Sequence, residues 1–139
     1  MAKQSGVPSP RASGATLTQV MACRLEPGCN EVMTLTYRYL PDLHREAAVQ
    51  PDGILSRVLH NEGGVRTVIF AFDAGQELTE HTASRPAIVQ ILSGTGTLKL
   101  GADELEARPG TWVYMPAGLV HAIRAESPLI LLLTLLPKE

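Results

Sequence analysis

The sequence predicts an all-β protein, and three observations carry that reading. Short segments rich in Val, Ile, Thr and aromatic residues recur along the chain, separated by Gly, Pro or Asp, which is the pattern of a β-sandwich or barrel. No heptad, long amphipathic stretch or short internal repeat competes with it. Two segments, VRTVIFAF and LILLLTLL, are apolar on both faces of a strand, the composition of strands covered on both sides. A chain of 139 residues has room for one domain with a single core. At 45% hydrophobic and 19% charged residues it has the apolar material to fill that core, unlike a disordered chain.

Taken in order, residues 1–32 hold several Pro, Gly and Ser residues without strand or helix periodicity. They read as a flexible leader, with one folded domain over 33–139. Translation from Met21 or Met33 is the matching expectation for the natural product. MTLTYRYL reads as the first strand, stopped by Pro41, and DLHREAAVQ as a short helical turn before the Pro51-Asp52-Gly53 turn. ILSRVLHNEG and VRTVIFAF then form a hairpin through Gly63-Gly64. In the second of these, Val68, Phe70 and Phe72 share one face and Thr67, Ile69 and Ala71 the other. Further strands are read at LTEHTA, AIVQIL, TLKL, ELEA, TWVYMP, VHAIRA and LILLLTLL, with turns at residues 93–96, 101–103 and 108–110.

Composition excludes several classes of function. The net charge is −2, and the 12 Lys and Arg residues are scattered with few aromatic neighbours, so neither nucleic acid nor an anionic membrane is an expected partner. Cys23 and Cys29 lack further ligands at zinc-finger spacing and read as free thiols. The N-terminus lacks the apolar core of a secretory signal. The longest apolar run, residues 129–136, lies between Pro128 and Pro137 and is far short of the ~20 residues that span a bilayer, so a cytoplasmic protein is expected. No serine or cysteine sits in a nucleophile elbow or beside a suitable histidine and acid.

Chemistry concentrates in residues 75–121. Gly75, His81 and Gly94 form one frame, and Gly110, Pro116, Gly118 and His121 a second. These frames resemble the two motifs of the cupin family, G-x5-H-x-H-x3-4-E-x6-G and G-x5-P-x-G-x2-H-x3-N. The resemblance is to a small single-domain cupin of the conserved-barrel type, and it implies a double-stranded β-helix, or jelly-roll barrel, with the site inside. Position by position, the family's second histidine is Ala83, its carboxylate is Ala87 and its terminal asparagine is Ala125. Two of the four usual metal ligands are therefore alanine, and His81 and His121 remain.

Strand alternation then sorts the neighbours. Thr79 and Ala83 share the side of His81, while Glu80 and Thr82 point away. Glu77 has the parity of His81 but lies roughly 13 Å along an extended strand at ~3.3 Å per residue, too far to share an ion without a bulge. Gln90 falls outside, since Val89 and Ile91 face inward with Ala87. Trp112 and Tyr114 share one face and Met115 takes the other; core packing or a subunit contact accounts for the aromatic pair. Arg85 is a candidate at the barrel mouth for an anionic ligand, whereas His44 and His60 have no motif around them.

The expected function is a binding or regulatory module that holds a small molecule in an apolar pocket lined by His81, His121, Thr79 and Arg85. The alternative is a metal-dependent cupin enzyme, dioxygenase- or isomerase-like. There His81 and His121 ligate one divalent transition metal (Mn, Fe, Ni, Cu or Zn) and substrate or water completes the shell. A metal-free acid or base role for one histidine is a third possibility. The doubly apolar terminal strand predicts a homodimer, with the barrel core on one face and a second copy on the other.

Overall fold

A computed structural model describes residues 15–22 and 32–138; Cys23 and Cys29 lie outside them. The chain forms two units, 1–43 and 44–139. In the first, β1 (Ala15–Ala22) pairs antiparallel with β2 (Val32–Tyr39) along its whole length. Strand β2 is the one that its Thr and Tyr content predicts, but β1 lies in the stretch that reads as a leader without pattern. Its backbone groups find their partners on β2, which its own sequence does not announce.

A single 3-10 turn at Leu43–Arg45 spans the boundary between the units, inside the stretch where the sequence predicts a helical turn. Nine strands follow: β3 (Ile54–Glu62), β4 (Val65–Phe72), β5 (Glu77–His81), β6 (Ala87–Ser93), β7 (Gly96–Leu100), β8 (Asp103–Ala107), β9 (Trp112–Met115), β10 (His121–Ala125) and β11 (Leu129–Leu135). They form two antiparallel sheets, ordered β3-β4-β11-β6-β9 and β5-β10-β7-β8. Strands distant in sequence sit side by side, as in a jelly roll. Among the described residues no helix is long and apolar enough to cross a membrane.

One core joins the sheets: Phe72, Val89, Ile91, Leu129 and Leu131 of the larger pack with Leu98, Ile123 and Ala125 of the smaller. On β4 both faces are covered as expected, with Ile69 and Ala71 as fully buried as Phe72. On β6 the alternation also holds, with Ala87, Val89 and Ile91 buried and Gln90 exposed. Ahead of β3, Glu46 is the one buried charged residue among those described, only 3% exposed. Arg57 of β3 reaches it with Nη1, 3.4 Å from the carboxylate and 3.3 Å from the Glu46 carbonyl oxygen, to which it donates.

Gly94 closes the turn between β6 and β7 under two constraints. Its φ is +87°, and a Cβ there would run into the carbonyl oxygen of Pro128 and lie 2.5 Å from the Leu129 Cα. The first motif's last glycine thus lets the start of β11 cross directly over the turn.

Candidate functional site

The two histidines come from the two motif frames and meet across one pair of strands. Strands β5 and β10 are antiparallel neighbours, and His81 is the register partner of His121. Backbone bonds fix the pair at both ends. The Gly75 N–H donates to the Ala125 carbonyl and the Ala125 N–H to that of Gln76, both at 2.8 Å. At the opposite end the Gly118 N–H donates to the Ala83 carbonyl, also at 2.8 Å. The imidazole rings end 4.2 Å apart between centroids, tilted by 59°.

Each ring is held the same way. His81 Nδ1 lies 2.8 Å from the Thr79 carbonyl oxygen, and His121 Nδ1 lies 2.8 Å from that of Leu119. A carbonyl oxygen only accepts, so Nδ1 carries the proton in both rings. In the neutral ring that leaves the Nε2 lone pair for whatever enters the site.

The rings stand at the edge of a cavity of about 80 Å³ whose other lining is apolar: Phe70, Leu78, Val89, Leu98, Met115, Ile123, Leu131 and Leu133, together with Ala122. His81 is exposed and His121 partly buried, so His81 is nearer the mouth. One water needs roughly 10–15 Å³ on this scale, so the cavity suits the apolar end of a small molecule.

Three expectations about neighbouring residues are corrected. Between His121 and Ile123 the β5–β10 register slips, because Leu78 rather than Thr79 pairs with Ile123. The extra residue on β5 is a bulge that reverses strand parity between positions 78 and 81. Leu78 therefore lines the cavity with His81, and the exposed Thr79 contributes its carbonyl rather than its side chain. The same bulge turns Glu77 outward, where its carboxylate lies 3.8 Å from Arg124 Nε, so it does not replace the missing ligand.

Arg85 is also not a cavity residue. Its Nε donates to the Leu136 carbonyl at 2.8 Å, and its Nη2 donates to the Gly64 carbonyl and, at 3.5 Å, to that of Leu135. The guanidinium ties the end of β11 to the β3–β4 hairpin, which leaves little of it for an anion. His44, in the 3-10 turn, and His60, on β3, are absent from the cavity lining.

A resident metal ion fits this donor set poorly. Ala87, at the family's carboxylate position, is 2% exposed in the core and pairs with Met115. Among the described residues no group of three or more His, Cys, Asp or Glu side chains is placed to hold an ion. Two imidazoles fall short of the three or four protein ligands of a tight site. Phe70 and Leu133 are within reach of the sequence, since their faces follow from alternation. Leu78 carries no such signal, because alternation places it outside.

Comparison with known proteins agrees with this fold. Residues 68–135 match the family model for the cupin domain. No curated protein matches the chain. Among solved structures, a conserved protein of unknown function from Streptococcus pyogenes is 31% identical, with a TM-score of 0.67 over 73% of this chain and 89% of that one. A cupin superfamily protein from Desulfitobacterium hafniense is 22% identical, with a TM-score of 0.60 over 63% of this chain and 80% of that one. A cupin 2 conserved barrel domain protein from Leptotrichia buccalis is 23% identical, with a TM-score of 0.65 over 78% of this chain and 54% of that one. The last two likenesses speak to the fold alone.

Proposed function

The chain belongs to the cupin family, and from that premise we propose that its barrel is a binding module for a small, largely apolar molecule held against His81 and His121. One observation carries the proposal: an apolar cavity whose polar side chains are two imidazoles, each anchored through Nδ1 to a backbone carbonyl. Pockets of this composition bind through their walls and orient the ligand through their few polar groups. Purified protein titrated with single-ring and short branched molecules is expected to show amide NMR shifts at Val89, Leu131 and Ile123. No shift from any of them at millimolar concentration would defeat the proposal.

The metalloenzyme reading is supported by the Nδ1 anchors, since histidines that bind metals are commonly oriented by such bonds. It is opposed by the shortage of donors. Metal content separates the two readings when the protein is purified without a chelating tag and compared with a His81→Ala/His121→Ala variant. Stoichiometric metal that is lost only in the variant would favour the enzyme.

The proposal also includes a cytoplasmic protein and a second copy of the chain. On the outer face, Trp112 and Tyr114 are 57% and 47% exposed, and Leu132 and Ile88 beside them are only partly buried. The registers Leu132–Gln90–Trp112 and Thr134–Ile88–Tyr114 place these side chains in two adjacent rows. An exposed aromatic patch on a sheet is better suited to a protein contact than to water.

A further inference from the structure

Resting on the binding reading above, we propose that the cavity selects molecules whose polar end is a hydroxyl group that donates a hydrogen bond, a phenol or an alcohol, over ethers and carboxylates of the same size. The two imidazoles decide this. Both Nδ1 atoms must donate, because each faces a carbonyl oxygen at 2.8 Å. In the neutral rings both Nε2 atoms are then acceptors, and rings 4.2 Å apart at their centroids bring them close enough for one ligand group to meet either.

Among the described residues, every other side chain around the cavity is an aliphatic, a thioether or a phenyl, so these walls offer no strong donor. An ether or carboxylate oxygen placed at the rings meets lone pairs and goes unpaired, whereas a hydroxyl satisfies one Nε2 and sits within reach of the second. Against the partly buried His121 ring a polar atom without a partner gives up solvation for nothing, and that is the source of the discrimination. The charged groups nearest on β5 and β10 do not alter it. Glu77 lies against Arg124 and Glu80 against Lys99, on the opposite face of the sheet from the histidines.

The test is a matched series of phenol, benzyl alcohol, anisole and benzoate, titrated at about pH 8 into the full-length protein and followed by amide NMR shifts. The expected result is that phenol and benzyl alcohol bind about tenfold more tightly than anisole and benzoate. In His121→Leu that preference collapses while residual binding of anisole persists. The wild-type series stands without the variant should the variant fold poorly. Anisole or benzoate binding as well as phenol would overturn the selectivity and leave the apolar pocket standing. Absence of shifts from all four would overturn the pocket reading, and the selectivity with it.

Discussion

Three glycines separate two reasons for which a barrel turn excludes a side chain. Gly75 has φ +86° and nothing within 4 Å of the place a Cβ would take, so Gly75→Ala suffers only the left-handed backbone, about 1–2 kcal/mol. At Gly96, for which no left-handed φ is found, a Cβ would meet the Arg124 carbonyl oxygen and lie 3.2 Å from its carbon. Gly96→Ala therefore carries an overpacking cost of about 1–3 kcal/mol. Gly94 combines φ +87° with the approach of Pro128 and Leu129, so Gly94→Ala should lose about 2–5 kcal/mol. Because a small domain has only about 5–15 kcal/mol in total, that variant sits near the limit of folding. Urea unfolding followed by far-UV circular dichroism measures all three under a two-state treatment. The only tryptophan, Trp112, is 57% exposed and makes a poor fluorescence probe. A Gly94→Ala loss no larger than that of Gly75→Ala would refute the claim that the crossing of β11 dictates this glycine.

Other expectations follow from single contacts. Arg85→Ala should raise amide exchange at Leu135 and Leu136 and cost about 1.5–3 kcal/mol from its charged hydrogen bonds, yet leave affinity for cavity ligands unchanged; a loss of ligand binding with exchange unaltered would return Arg85 to the site. Arg57→Ala leaves the Glu46 carboxylate buried without its ion pair, whereas Glu46→Gln removes the charge as well, so the first should lower the unfolding midpoint more than the second. Lys99 titrates above its ordinary 10.5 because Glu80 hydrogen-bonds and attracts its ammonium. The pair's contribution to stability is complete below 10.5 and fades as pH rises through the raised value, and an NMR titration of Glu80→Gln should show Lys99 moving down. For the second copy, sedimentation should show a dimer at micromolar concentration that Trp112→Glu converts to monomer; a wild-type monomer would end that part of the proposal.

The barrel strands and most of their faces are legible along the chain. Period-two alternation and Gly-Pro turns locate β3 to β11, put Gln90 outside and Ile91 inside, and mark β4 as covered on both sides. These are local properties, written in the residues that carry them. The two histidines are legible as a pair through their glycine frames, but their meeting as register partners is a property of the β5–β10 pairing. Three features come from the folded chain and nowhere else: the bulge that sends Leu78 inward and Glu77 outward, the use of Arg85 as a backbone clamp, and the pairing of β1 with β2. One physical reason is common to all three. An extra residue in a ladder, a carbonyl 51 positions away and a strand's partner are set by what lies opposite, and alternation along one strand holds no record of its neighbour.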